Sequence, residues 1–467
     1  MNRLPFLGIV ADDLTGATTV GSLFARSQVQ TAVFFDESTL IRTDSSTNFD
    51  VAILSSNSRA LSKENAYNAN VCATSMLKQL GVQYFSKRID TTLRGNIGTE
   101  IDAMMNIIGQ NIVSVVVPTM PQSKRIVVGG HSIIDGVPLI HTAAAQDVRT
   151  PIKENYIPKL LESQTKHQVG FVEYGIVLRG PSDIAKELIA KKDAGCKIIV
   201  VDAVDMEDIT AIALACMKLK WNVLSVDPGP FTVKLAYCRG LIQKEISNIP
   251  QNATDSQEKT VLIAVGSTTQ TTIQQVAVFC NDRRHIRISL NPANLIETGE
   301  ICKTEVLNAT NKALSLLKDK KPPRAILLET ALHGPILNLQ AEDKKHGYPP
   351  GRSADLITSH LSEIVKNIMR TNADQIVGIY CTGGETAASV CRALGASYLK
   401  MIDYVDAQID VGFLIGNSIK IPFVGKGGLV GSDTVMYKIV DRLLKEAARY
   451  QKYESWVKKG RETAQKS

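Results

Sequence analysis

Short apolar runs rich in β-branched residues alternate with longer helical patterns along the whole of this 467-residue chain. Consecutive strands that run parallel need a crossover, and a helix supplies it, so the alternation dictates parallel sheets with helices on both faces. In the first half, residues 7–11, 31–35, 51–54, 83–89, 113–117, 197–202 and 222–226 read as strands; in the second half, residues 260–265, 285–290, 325–329, 375–381 and 419–424 do. Between the fifth and sixth runs, residues 126–139 alternate around Asp135-Gly136, a hairpin signal.

A chain of this length exceeds one core. Residues 247–259 are polar and nearly free of large apolar side chains, which divides the chain into a first domain over 1–246, a linker over 247–259, a second domain over 260–440 and a basic C-terminal helix or tail over 441–467. The expected architecture is α/β, with two domains, each a mainly parallel sheet flanked by helices, and an active-site cleft between them. No fixed-period repeat interrupts the pattern.

With 44% hydrophobic and 21% charged residues, no signal-peptide pattern and no apolar run of bilayer length, the expectation is a cytoplasmic protein with no membrane partner. The formal charge of +7 suggests nucleic acid, but residues 445–467 carry seven Lys or Arg against three Glu and so account for +4 of it. No recognition-helix, RRM or zinc-finger signature accompanies that segment, which excludes nucleic acid as the expected partner. The eight cysteines contain no C-x-x-C pair and are expected to be reduced thiols. The seven histidines, His131, His141 and His333 among them, show no ligand spacing for a transition metal.

The chemistry sits at strand ends. Gly8-Ile-Val-Ala-Asp12-Asp13-Leu-Thr15-Gly16-Ala17 runs from a strand into two carboxylates and a helix start. Such carboxylates lie where open α/β folds place ligands, or else Asp13 or Thr15 simply caps the helix. Asn57-Ser58-Arg59 follows the third run, and Lys87-Arg88-Ile-Asp90-Thr-Thr-Leu-Arg94-Gly95-Asn96 follows the fourth. This second loop gathers cations, a carboxylate, hydroxyls and an amide, a set suited to a small polyhydroxy carboxylate; Arg59, Lys87, Arg94 and Asn96 are the expected substrate-binding residues. Lys124 and Arg125 add two cations after the fifth run, as solvated charge or as ligand contacts.

In the second half, Gly266-Ser267-Thr-Thr269, Gly383-Gly384-Glu385-Thr386 and Gly425-Lys-Gly-Gly428-Leu-Val430-Gly431 each follow a strand. Free N–H groups at a helix start attract anions, and glycines allow close approach to phosphate, so three such loops indicate a nucleotide. The Walker A pattern is absent, and Val430 breaks G-x-G-x-x-G, which disfavours a P-loop enzyme and a dinucleotide-dependent dehydrogenase.

At these residues the chain resembles the four-carbon acid sugar kinase family. The resemblance covers about residues 5 to 440 and rests on Ala-Asp-Asp-Leu-Thr-Gly-Ala at 11–17, Lys-x-x-Asp-x-Thr-Leu-Arg-Gly-Asn at 87–96, the proline-bounded strand end near 118, Gly-Ser at 266–267, Gly-Gly-Glu-Thr at 383–386 and the lysine-glycine loop after 425. It implies ATP-dependent phosphorylation of tetronates or their 3-oxo forms, with the acid on the first domain and ATP on the second. Asp12, Asp13, Arg59, Lys87, Asp90 and Arg94 match its substrate side, and Ser267, Gly383, Gly384, Glu385, Thr386 and Gly428 match positions that contact ATP. Three places depart from the family pattern. Gly-Ser-Cys-Ser becomes Gly-Ser-Thr-Thr, and Lys-Ser-Gly-Gly-Phe-Gly becomes Lys426-Gly-Gly-Leu-Val-Gly431. Gly-Arg-Thr becomes Lys124-Arg125-Ile126, which keeps one cation and removes a hydroxyl.

The expected mechanism is Mg2+-assisted direct transfer of the γ-phosphoryl group of ATP to a substrate hydroxyl. Asp13 is the favoured base, with Asp12 and Asp90 as hydrogen-bond or Mg2+ partners and Arg59, Lys87 and Arg94 on the substrate carboxylate. No metal ligands are assigned. Two readings stay open beside it: a sugar-acid sensor that turns nothing over, and a sugar-acid isomerase or aldolase. Open sheets with exposed faces also allow a homodimer.

Overall fold

The structure is a computed structural model that describes residues 4–41, 48–109, 111–147, 150–242, 259–330 and 336–464. Of the predicted linker only Lys259 falls among them, and His333 and Lys466 also lie outside the described residues. The chain forms two compact units, one of residues 1–248 with 400–403 and one of residues 249–399 with 404–467.

The first unit contains β1 (Leu7–Ala11), β2 (Thr31–Phe34), β3 (Val51–Ser55), β4 (Tyr84–Arg88), β5 (Ile112–Val116), β6 (Arg125–Val128), β7 (His131–Ile134), β8 (Val137–Pro138), β9 (Val169–Val172), β10 (Ile198–Val201) and β11 (Asn222–Asp227). Its main sheet runs β2-β3-β1-β4-β11-β5-β10-β9, with every pairing parallel. Helices cover both faces, so β1, β2, β3 and β5 are buried at every residue, as expected of apolar runs that do not alternate. All seven predicted strands are present. The four-residue β9 is an additional edge strand that sequence reading did not anticipate.

The excursion between β5 and β9 is a separate antiparallel sheet, β6-β7-β8. Its predicted Asp135-Gly136 turn is there, with both residues at positive φ (50° and 81°), and a second tight turn at Gly129-Gly130 repeats that geometry (61° and 73°). The buried Asp202, just past β10, accepts the N–H groups of Gly129 (2.7 Å), Gly130 (2.9 Å) and Tyr174 (3.0 Å) and so ties the excursion to the sheet.

The second unit contains β12 (Thr260–Val265), β13 (His285–Ser289), β14 (Ala325–Glu329), β15 (Ile376–Thr382), β17 (Ile409–Gly416), β18 (Lys420–Lys426) and β16 (Ala396–Asp406) apart from its residues 400–403, in the order β13-β14-β12-β15-β18-β17-β16. The first five pair in parallel, and β17 is antiparallel to β18. The five predicted strands are all present; β16 and β17 were not predicted.

A 30-residue helix, Val435–Ala464, closes the chain. Val435, Met436, Ile439, Val440, Leu443 and Leu444 are buried in one cluster with Val377, Tyr380, Val411 and Val424 of the sheet. The basic segment expected to begin at 441 is therefore the continuation of a core helix that passes unbroken through the boundary assigned at 440. None of the eight cysteines is in a disulfide, as expected. Among the described residues no helix is long and apolar enough to cross a membrane.

Candidate active site

In the first unit the chain winds from β1 to one side through β2 and β3, then crosses to the other side at β4. The reversal leaves a crevice at the carboxyl ends of β3, β1 and β4, the place where open α/β sheets bind ligands. Ala11 stands opposite both Ser55 and Arg88, so the loops after the three strands start level with one another. Those loops carry Asp12 and Asp13, Arg59, and Asp90 with Arg94.

Their side chains converge on Arg59. Its Nε donates to Asp12 (2.7 Å), Nη1 to Asp13 (2.5 Å), and Nη2 lies 3.8 Å from Asp90. Asp90 in turn accepts Arg94 Nε (2.7 Å) and the Thr92 hydroxyl, and Arg94 Nη1 reaches Asp147 (2.9 Å). Burial by itself raises the carboxyl groups of Asp12 and Asp90. The guanidiniums override it: Arg59 holds both below the usual carboxylate range, joined by Arg88 and Lys87 at Asp12 and by Arg94 at Asp90. Desolvation lowers Arg59 and Arg94, but their carboxylate partners hold both above the ordinary arginine value.

Asp13 does two jobs. One oxygen accepts the Gly16 N–H (2.7 Å) and caps the helix Leu14–Arg26, as the capping alternative required, while the other takes Arg59. Its side chain is 22% exposed, against 3% for Asp12 and 8% for Asp90, so Asp13 is the carboxylate best open to a ligand. Gly16 has its own reason. A Cβ there would collide with the Arg88 guanidinium, which lies along the first turn of the helix within 3.5 Å of Asp12 and Asp13.

Lys87 departs from its expected place. It is fully buried, and its ammonium pairs with the equally buried Glu100 (2.7 Å) and donates to Asn70 (3.2 Å). Ser58 donates to Glu100 (2.6 Å) and accepts from Asn70 (3.2 Å), so Lys87 braces the 55–59 loop from beneath. Successive residues of a strand face opposite ways, which sends Lys87 to this network and Arg88 to the Gly16 side. Asn96 ties its amide to the Leu61 carbonyl (2.9 Å). Arg88, Glu100 and Asp147 were not anticipated as members of the site. Glu100 could have been sought, with Asp102, as one of two carboxylates in the largely apolar helical stretch Ile97–Met105.

The second unit repeats the winding: β12 leads to β13 and β14 on one side, then β15 and β18 take the other. Val265 stands opposite Thr382, and Thr382 opposite Lys426, so the three glycine loops begin level with one another. They are knit together. Gly266 N–H donates to Thr382 (3.2 Å), Gly383 N–H to Lys426 (2.9 Å), and the Thr269 and Thr272 hydroxyls to the Gly428 carbonyl (2.7 and 3.1 Å). A Cβ at Gly428 would strike the Ser267 hydroxyl, and one at Gly266 would strike the buried Thr386 hydroxyl. Gly383, at φ 101°, opens the helix Gly384–Ala393 with no side-chain cap, and Glu385 stands exposed in its first turn. Its leading N–H groups and positive dipole end are thus presented by glycine.

Lys426 lies under this cluster. It is 1% exposed, its Nζ donates to the carbonyls of Gly427 (2.9 Å) and Val430 (3.1 Å), and among the described residues it makes no ion pair. Burial pushes its ammonium down from 10.5 to about 8.

Residues 7–235 match the family model of a sugar-binding N-terminal domain, and residues 262–436 match that of a nucleotide-binding C-terminal domain. The chain is 33% identical over 439 residues to the D-erythronate kinase of Heliobacterium modesticaldum, an alignment spanning 93% of this chain and 96% of that one. The chain belongs to the four-carbon acid sugar kinase family. Another relative is the D-threonate kinase of Salmonella typhimurium, 28% identical over 92% of this chain and 96% of its own. A solved structure from Salmonella typhimurium LT2, described as a putative tRNA synthase, superposes with a TM-score of 0.73 at 19% identity over 93% of this chain and 98% of that one, a likeness of fold alone. As a member of the four-carbon acid sugar kinase family, this chain is a sugar-acid kinase.

Proposed function

We propose that the protein transfers the γ-phosphoryl group of ATP to a hydroxyl of a four-carbon sugar acid. The observation that carries the reading is the knit of three glycine loops around the uncapped start of the helix Gly384–Ala393. Phosphate oxygens take the leading N–H groups of that helix, with Ser267, Gly383, Gly384, Glu385, Thr386 and Gly428 around them. In the first unit, Asp12, Asp13, Asp90, Arg59, Arg94 and Asn96 surround the acid, and Lys87 holds their loops in place.

Among the described residues no group of three or more His, Cys, Asp or Glu is placed to hold a metal. A Mg2+ ion fits here as one usually bound through phosphate oxygens with one or two carboxylates, and it supplies charge neutralisation on the phosphates. The protein's own part is to orient the hydroxyl and accept its proton at Asp13. The linked carboxylates and guanidiniums keep Asp13 in one rotamer, and positioning is the larger share of catalysis in such transfers.

The test is ADP release on addition of D-erythronate, D-threonate, L-threonate and their 3-oxo forms to the purified protein with Mg-ATP. D-erythronate, the acid named in the 33% identical relative, heads the panel. ADP formation dependent on one of these acids supports the reading. Binding of an acid with no ADP from any of them would favour the sensor reading instead.

A further inference from the structure

We propose that Arg125 is the residue that grips the carboxylate of the sugar acid, and so distinguishes an acid from the uncharged polyol with the same hydroxyls. The proposal rests on the kinase reading above. Three arginines act electrostatically on Asp90, and two of them are already satisfied: Arg59 by Asp12 and Asp13, Arg94 by Asp90 itself and by Asp147. Arg125 feels the charge of Asp90 without pairing with it, and among the described residues no carboxylate forms an ion pair with it. Its guanidinium donates to the Ser123 carbonyl, and its Nε–H is enclosed with no acceptor.

The electrostatics follow the same division. Carboxylate partners hold Arg59 and Arg94 above the ordinary arginine value, whereas Arg125 is lowered, first by burial, with the charges of Asp90 and Asp135 too weak to compensate. A desolvated guanidinium lacking its anion is unfavourable, and a planar carboxylate offers it two oxygens in matching geometry. Charges already paired, such as Arg59 and Arg94, offer an incoming acid less.

Arg125 is also held in readiness. Met120 and Arg125 exchange backbone hydrogen bonds (2.9 and 3.2 Å) across a turn whose last residue, Lys124, adopts φ 57°. Lys124 turns away to Asp135 (2.8 Å), and β6 is fixed on its other side by pairing with β7, where Arg125 faces Ile134. The paired turn therefore separates its two cations, one to a surface ion pair and one to a half-buried position that feels the charge of Asp90.

The test compares Arg125→Gln and Arg125→Lys with the wild-type chain, using D-erythronate in steady-state kinetics and in calorimetric titration. Loss of a charge-assisted contact of this kind should raise KM and Kd for the acid by about 10- to 100-fold. The same variant should keep kcat within about threefold and leave nucleotide affinity unchanged. Arg125→Lys keeps the charge without the fork and should recover part of the loss. The proposal is overturned if Arg125→Gln leaves KM and Kd within about threefold, or lowers kcat with KM unmoved. Should Arg125→Gln lose nucleotide affinity as well, Arg125→Lys decides, and an acid Kd within about threefold of wild type overturns the assignment. Failure of the wild-type chain to release ADP defeats the kinase reading alone, since the titrations still read Arg125 directly.

Discussion

Lys426 gives the sharpest quantitative expectation. Its ammonium is buried beneath the glycine loops against two carbonyls, with no anionic partner among the described residues, and its pKa falls from 10.5 to about 8. At about 1.4 kcal/mol per pH unit, the gap amounts to about 3 kcal/mol of strain on the charged form. The folded state, with the lower pKa, binds fewer protons than the unfolded chain between pH 8 and 10.5, so this residue's contribution to stability rises with pH across that window. Lys426→Met has no proton to lose. Urea unfolding followed by circular dichroism should therefore show wild type gaining about 2–3 kcal/mol on Lys426→Met between pH 7 and pH 10. Nucleotide phosphate bound at these loops would supply an anion and pull the pKa back up. Nucleotide binding at pH 8.5 should then take up on the order of half a proton, read as a dependence of binding enthalpy on buffer ionisation heat. A wild-type-to-variant stability difference constant with pH, together with proton uptake that persists in Lys426→Met, would refute the reasoning.

Other expectations are simpler to state. Asparagine caps a helix as well as aspartate does, so Asp13→Asn should fold normally while kcat falls by about 10²- to 10⁴-fold in the ADP-release assay; near-normal kcat would remove Asp13 as base. Gly428→Ala forces a Cβ onto Ser267 and should weaken nucleotide affinity by about tenfold or more in calorimetry while leaving acid binding intact. Lys87→Met strands the buried Glu100 and should cost about 3–5 kcal/mol in urea unfolding, most of it recovered in Lys87→Met combined with Glu100→Met. Equal losses in single and double variants would show that the pair does not act as a unit.

Much of this architecture is legible in the chain because its strands are buried on both faces. Most such strands read as apolar runs, and all twelve predicted strands are present, although β4 carries Ser86, Lys87 and Arg88 and β13 is only partly buried. Of the main-sheet strands that escaped notice, β9 and β17 are mostly apolar themselves, and only β16 is of another kind. In β16 most residues are half-buried, and polar side chains interleave with Leu399, Met401 and Val405, so no apolar run marks it. The C-terminal helix was divided at 440 because its charges cluster late. Its core stripe Val435, Met436, Ile439, Val440, Leu443, Leu444 has helical spacing and crosses that point without a break.

At the site, the motif-bearing loops mark the right strand ends, but composition alone does not say which cations face a ligand. Lys87 and Arg88 are adjacent in sequence and point to opposite faces of the sheet. Only the pairing of Lys87 with Glu100, Arg59 with three aspartates and Arg94 with two separates bracing charges from available ones.

The guanidinium of Arg88 occupies the volume that any side chain at position 16 would need. The two positions are therefore not free to drift separately. A relative that carries alanine or serine at the equivalent of 16 must also have shortened or redirected the arginine equivalent to 88, and with it the second cation beside the paired aspartates. Co-variation of those two columns across related sequences would be the evolutionary trace of a single steric exclusion, readable without any assay.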